Sequence, residues 1–213
     1  MADNYLGKKF EDLQMKRKKS VKVHPVHKSL DTLLLKNRSC RGYDSSYKVS
    51  MEELREIVSV NTLVPSARNQ QVLRFKLLVG GEAEAFCRFI KLGGALPELH
   101  LPFAGTEPNA FIIICTSEPL NRWTDIDLGI SAQSMLLKAV DMGLNGICIG
   151  AFDKAEAERV VGEGMTPLLV IAIGKSAEKY QILHIGEKED HRYFRENGIH
   201  YVPKVKVEDL IIR

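Results

Sequence analysis

Apolar positions recur at helical spacing in several stretches, and two of these carry their own start signals. At Ser50-Met51-Glu52-Glu53 the serine stands where it can cap the N3 amide and Glu53 where it can reach back, with Val49 and Leu54 placed as a hydrophobic staple. Met51, Leu54, Ile57 and Val58 continue the pattern, and the helix is expected to end near Val64-Pro65 because a residue before proline avoids the α region. Asp153, with Glu156 three residues on, starts another helix in the same way. Ser29 or Asp31 opens a helix through Leu33, Leu34 and Leu35, and residues 82–92 read as a helix stopped by Gly93-Gly94. From Asp125 to Met142 the chain is apolar almost all round, with aspartate at the start and Gly143 at the stop, which predicts a buried helix forming the spine of the core.

Between these helices lie short apolar runs that predict strands: Val72 to Val79, closed by Gly80-Gly81, Ala110 to Cys115, Ile147 to Gly150, and Leu168 to Ile173. Helices interleaved with strands predict, on this order alone, a doubly wound parallel sheet. Past Gly174 the order weakens until Val205, Val207, Leu210, Ile211 and Ile212 make an apolar C-terminal arm. At the other end, residues 5–19 can form a polar helix whose stripe of Tyr5, Leu6, Phe10, Leu13 and Met15 is too thin to stand alone. The expected organisation is an N-terminal helical arm over 1–28, one α/β domain over 29–200, and an arm over 201–213.

Composition narrows the picture. A chain of 213 residues, 45% hydrophobic, can bury one substantial core, and two separate domains would be cramped. Cys40, Cys87, Cys115 and Cys148 fit neither a zinc pattern nor a CxxC pair and read as buried reduced thiols. No run approaches the roughly 18 apolar residues of a membrane span, and Met-Ala-Asp-Asn lacks the order of a signal peptide, so the expectation is a cytoplasmic protein with no membrane partner. Residues 1–28 hold eight Lys or Arg against three acids, a net +5 in a chain whose total is +3, which leaves the rest at −2. A slightly acidic body argues against nucleic-acid binding, which needs clustered cations. Lys16-Arg17-Lys18-Lys19, with no aromatic residues interleaved, reads as a solvated arm rather than a polyanion tail.

Three segments carry candidate chemistry. Arg38, Ser39 and Arg41 place two guanidinium forks and a hydroxyl at a helix-to-loop junction, a set that suits a phosphate monoester, although two arginines three apart also fit an exposed helix face. The loop Pro65-Ser66-Ala67-Arg68-Asn69-Gln70-Gln71 offers neutral donors and acceptors that match a ligand edge of carbonyls and ring nitrogens, or an ordinary polar turn. Gly146-Ile147-Cys148-Ile149-Gly150-Ala151-Phe152 is a strand ending in small residues where a flat ring or another backbone can approach. His24, His27, His100, His184, His191 and His200 lack ligand spacing, His184 reads as a core residue, and Asp125 and Asp127 sit where a helix start favours carboxylates, so no metal is expected.

Taken in order, Arg-Ser-x-Arg-x-Tyr, a helix, Pro-Ser-Ala-x-Asn-x-Gln, Asp-x-Gly-x-x-x-Gln at 127–133, and Gly-Leu-Asn-Gly-Ile-Cys-Ile-Gly-Ala-Phe resemble the nitroreductase family, from about Leu34 to Gly174. The resemblance implies an α+β fold of three α-β-α layers with a central, mostly antiparallel sheet, a long buried interface helix, and a homodimer holding two shared FMN sites. It implies an oxidoreductase that passes hydride from NAD(P)H by way of FMN to an electron-poor small molecule such as a nitroaromatic or quinone, with no side-chain nucleophile. Arg38, Ser39 and Arg41 would hold the phosphate and pyrimidine edge, Arg41 stabilising the charge of the reduced flavin. Pro65, Ser66, Ala67, Asn69 and Gln71 would come from the partner chain. The backbone at Gly150 and Ala151 would border the ring, and Lys204 and Lys206 would complete the phosphate site. Asn37 and Val205 stand where many members carry arginine, and Val72-Leu73 where a Pro-Trp pair is common. The alternatives are a non-catalytic flavin or nucleotide binder and another flavin reaction on the same scaffold.

Overall fold

The computed structural model describes residues 28–94 and 96–212; the expected helix over 5–19 and the basic run at 16–19 lie outside them. Six helices are described, α1 (Leu30–Lys36), α2 (Met51–Val58), α3 (Gly80–Cys87), α4 (Arg122–Asp141), α5 (Lys154–Val161) and α6 (Val207–Leu210). Seven strands accompany them, β1 (Leu73–Val79), β2 (Ala110–Thr116), β3 (Asn145–Ile149), β4 (Thr166–Gly174), β5 (Lys179–Ile185), β6 (Phe194–Glu196) and β7 (Ile199–Val205).

The main sheet has the order β1-β2-β4-β3, and every neighbouring pair in it is antiparallel. This corrects the doubly wound parallel sheet that the helix-strand order predicts and agrees with the sheet implied by the family resemblance. Burial on both faces gives β2 and β4 the unbroken apolar runs usually associated with parallel strands. Ile112 and Ile114 pack with α2 and α4 on one side, while Phe111 and Ile113 pack with α3 and α5 on the other, giving three layers. Each fully buried isoleucine of β2 contributes about 1.5–3 kcal/mol.

The local start signals are realised. Ser29 caps α1, the Ser50/Glu53 capping box is formed at α2, and the Asp153 side chain accepts the Glu156 N–H at α5. After Val58 the chain tightens into a 3₁₀ turn over Ser59–Thr62 before Pro65. At α4 the cap is Asn121, whose side chain accepts from Trp123 and Thr124, so the helix begins ahead of Asp125. The Gly80-Gly81 pair opens α3 directly from β1 rather than closing the strand with a loop, and α3 ends at Cys87, well short of Gly93.

Beyond Gly174 the structure is ordered where the sequence pattern is weak. Strands β5, β7 and β6 form a second sheet, with β5 parallel to β7 and β6 antiparallel to it. Asn197 and Gly198, at φ 50° and 75°, make the two-residue turn between β6 and β7. Strand β7 crosses the boundary between 200 and 201, and only α6 and its flanks project as an arm, with Leu210, Ile211 and Ile212 exposed. The expectation of four buried thiols is also corrected. All four cysteines are free, but only Cys40 and Cys115 are buried; Cys87 is intermediate and Cys148 exposed.

Candidate functional site

Ser39 bridges Gly146 in parallel, and the Cys40 N–H donates to the Gly146 carbonyl at 3.1 Å. The segment from Arg38 to Arg41 is thereby laid along the free edge of β3. Close approach demands glycine there, since a Cβ on Gly146 would lie 2.5 Å from the Ala172 carbonyl oxygen and 2.8 Å from the Leu136 side chain. No such crowding exists at Gly150, where a Cβ would meet nothing within 4 Å.

The small sheet closes over this segment. Its register sets Tyr180 beside His200 and His200 beside Arg195. Glu178, whose side chain is only 4% exposed, fastens the two parts together. Its carboxylate accepts the Arg41 N–H at 2.7 Å, the Tyr180 hydroxyl, and the Arg195 guanidinium at 3.1 Å.

Between the two parts lies a cavity of about 410 Å³. Its polar wall is cationic, from Arg38, Arg41 and Lys204, with Ser39 and the neutral pair Asn37 and Gln133 beside them. Leu136, Ile147 and Val202 give it apolar surface, and Tyr180 and Tyr193 aromatic surface. Arg38 is turned back on the end of α1, donating to the carbonyls of Asn37 and Leu34, and its partial burial lowers its pKa. The Asn37 amide oxygen accepts from Gln133 at 3.1 Å, a neutral contact beside the three cations.

Arg41 is the least satisfied group in the site. Its Nη1 donates to the Ser39 carbonyl at 3.0 Å and its guanidinium lies 4.8 Å from the Tyr193 ring centroid, but its Nε is buried without a partner among the described residues. An unmet buried donor costs about 1–3 kcal/mol, which a ligand acceptor would recover. Burial raises the Tyr180 hydroxyl far above the ordinary tyrosine range, so it is a donor and not a base. Burial first, then the Arg41 charge, lowers the pKa of His200.

A second cavity, of about 350 Å³, is lined by Pro65, Ser66 and Gln71 together with Asp127 and Ser131 of α4. Arg68, Asn69 and Gln71 all take left-handed φ values, at 51°, 54° and 50°. Such a conformation persists only where neighbours enforce it. Here the buried Asp127 carboxylate accepts the Ala67 N–H at 2.9 Å and the Ser66 hydroxyl accepts the Gln71 N–H at 3.2 Å. Asp127 is thus a loop anchor rather than a helix-start charge. Along α4, Asp127 and Ser131 look toward this cavity, while Gln133 and Leu136 look toward the cationic one.

Within one protomer, then, Arg38, Ser39, Arg41 and Lys204 share a cavity and the 65–71 loop belongs to another. Gly150 and Ala151 are exposed beyond β3, and Ala151 lines a separate recess with Phe89 and Lys91. Lys206 caps α6 and gives its N–H to the Ile185 carbonyl, lining neither cavity. Sequence reasoning missed Glu178, Tyr180, Tyr193, Arg195 and His200. His184, expected in the core, is exposed on β5, and among the described residues the buried histidine is His200, at 2%. The available signal was Asn197-Gly198, a hairpin dipeptide that would have placed two strands around it. Among the described residues no cluster of metal-ligating side chains occurs, and no helix is long and apolar enough to cross a membrane.

Residues 95–175 match the model of the Nitroreductase family. An Archaeoglobus fulgidus protein, named by inference an NADH dehydrogenase/NAD(P)H nitroreductase, is 23% identical over 181 residues, spanning 80% of this chain and 92% of that one. The nitroreductase family protein of Streptococcus pneumoniae superposes with a TM-score of 0.58 at 17% identity, over 72% of this chain and 93% of that one. An Exiguobacterium sibiricum protein of inferred nitroreductase function, solved in complex with FMN, gives 0.58 at 19% identity over 72% and 91%. The antiparallel sheet between two helical layers, the ordered motifs laid on it and these matches agree: residues 95–175 match the Nitroreductase family, and the chain has the fold of the solved nitroreductase family proteins it resembles.

Proposed function

We propose that the protein is a homodimeric, FMN-dependent oxidoreductase that uses NAD(P)H to reduce an electron-poor small molecule such as a nitroaromatic or quinone. The observation that carries this reading is the unmet Arg41 Nε in a cavity that combines three cations with apolar and aromatic surface. That donor set fits a phosphate monoester joined to a flat ring. FMN, when bound, supplies the hydride-accepting chemistry. Arg38, Ser39 and Lys204 hold the phosphate, and Arg41 faces the pyrimidine edge, where its free donor stabilises negative charge. The exposed backbone at Gly150 and Ala151 leaves room for the ring border.

A second copy of the chain supplies what one protomer leaves open. The 65–71 loop, with its enforced conformation and neutral donors, does not reach the cationic cavity of its own chain. Apolar surface is also left uncovered on α4 at Trp123 and Ile126, on α1 at Leu30 and Leu35, and on the C-terminal arm. Sedimentation analysis is expected to give a dimer, and a monomer that retains flavin tightly would contradict the shared site.

Replacing Arg41 by alanine tests the cofactor assignment. The variant should lose FMN on gel filtration or show a lower flavin potential, and unchanged flavin content with an unchanged potential would refute the role. The Asn37–Gln133 pair favours one alternative, a flavin binder without turnover, because it weakens the cationic clamp. Bound flavin that neither NADH nor NADPH bleaches would establish that alternative.

A further inference from the structure

Arg41 is held at both ends by residues beyond the family match, which stops at residue 175. Glu178 accepts its backbone N–H at 2.7 Å and so fixes where the side chain starts. Tyr193, just ahead of β6, meets the other end: the guanidinium carbon lies over its ring, 4.8 Å from the centroid. Tyr193 is in turn backed by the buried His200, 5.1 Å away centroid to centroid and inclined by 32°. Arg41, Tyr193 and His200 thus stand in a row, and all three line the cationic cavity.

Little else restrains the guanidinium. Among the described residues its nitrogens make a single hydrogen bond, from Nη1 to the Ser39 carbonyl at 3.0 Å, and Nε is buried without a partner. A long side chain tied at one nitrogen keeps several rotamers open, and ordering it costs entropy. A cation set on an aromatic face favours that one placement by about 2- to 30-fold, more as water is excluded. The ring face does this, and the phenol hydroxyl is not needed.

We propose that Tyr193 is a positioning residue for the flavin: it holds the Arg41 guanidinium at the ring edge, so that the site favours reduced over oxidised FMN more than a loosely held arginine would. The inference rests on reading this cavity as the FMN site with Arg41 at the pyrimidine edge. A cation already in place where negative charge develops stabilises that charge without reorganisation. One that swings into solvent is screened by water for part of the time.

Dissociation constants of the flavin-free protein for oxidised FMN and for reduced FMN, measured by anaerobic ultrafiltration, test this through their ratio, reduced over oxidised. A merely structural loss weakens both forms alike and leaves the ratio unmoved. Tyr193→Leu should raise it by about 3- to 10-fold, which is a flavin midpoint lower by about 14–30 mV, and Tyr193→Phe should keep it within about twofold of wild type. In an Arg41→Ala background Tyr193→Leu should change it by less than about twofold, because the group it positions is gone. An unchanged ratio in Tyr193→Leu overturns the proposal and leaves the flavin site standing. An equal shift in the Arg41→Ala background also overturns it, since the ring would then act on the flavin directly. If Arg41→Ala itself keeps the wild-type ratio, the placement of Arg41 at the ring edge falls and the proposal with it, and a wild type that binds no FMN overturns the whole reading. Should Tyr193→Leu not fold, Tyr193→Met removes the ring for the same comparison.

Discussion

Replacing Glu178 by alanine should cost the folded protein about 3 kcal/mol. Breaking a buried ion pair by removing one partner typically costs about 3–5 kcal/mol, because the other charge is left uncompensated. Two further donors, the Arg41 N–H and the Tyr180 hydroxyl, lose their acceptor, at about 1–3 kcal/mol each where water cannot replace it. The expectation is kept at the lower end because these terms overlap and because the Arg195 side chain is 18% exposed, so water reaches its guanidinium. Urea unfolding of wild type, Glu178→Ala, Arg195→Ala and the double variant measures it. The double variant should be less destabilised than the sum of the singles by about 1–3 kcal/mol. A loss below about 1 kcal/mol for Glu178→Ala, or strictly additive effects, would refute the view that this carboxylate fastens the small sheet to the cavity.

Other substitutions test the account at separate points. Gly146→Ala should destabilise by about 1–3 kcal/mol or more through the clash with the Ala172 carbonyl, whereas Gly150→Ala should lie within about 0.5 kcal/mol of wild type, both read from denaturation midpoints. Ser50→Ala removes the capping box of α2 and should cost about 1 kcal/mol by the same measurement. His200 also gives the flavin-free protein a pH dependence. Its folded pKa is lowered, so the unfolded chain binds more protons below about pH 6.5; the contribution is full above that pH and is lost as pH falls through the folded value. His200→Gln should flatten the stability profile between about pH 7 and 5, and an unchanged slope would count against the buried neutral imidazole.

What was legible in the sequence is what local chemistry determines. Ser50 with Glu53, and Asp153 with the Glu156 amide, fix helix starts through hydrogen bonds within one turn. Strands β2 and β4 were visible as apolar runs, but their direction was not. An antiparallel strand covered by helices on both faces has lost the in-out alternation that would reveal it, as the wholly buried β2 shows. The small sheet escaped for the opposite reason. Its strands are half exposed, β6 is three residues long, and its inward face carries Tyr180, His200 and Lys204 with Val202 as the aliphatic side chain among them. A face built around a charged cavity looks in sequence like a polar loop.

The site divides in the same way. Arg38, Ser39 and Arg41 were legible because three donors fall within four residues, and Lys204 through the resemblance. Glu178 and His200 act through partners more than a hundred residues away in sequence, at Arg41 for both, so no spacing rule links them. Asp127 was visible, but only the folded chain shows that its carboxylate holds the 65–71 loop.

An anaerobic absorbance titration of the FMN-loaded protein tests the central claim most directly. The account predicts one FMN per protomer, with the oxidised flavin band bleached on adding about one equivalent of NADH or NADPH and restored by a quinone or nitroaromatic. A protein that takes up no FMN, or whose flavin stays oxidised with both nicotinamides, would contradict it.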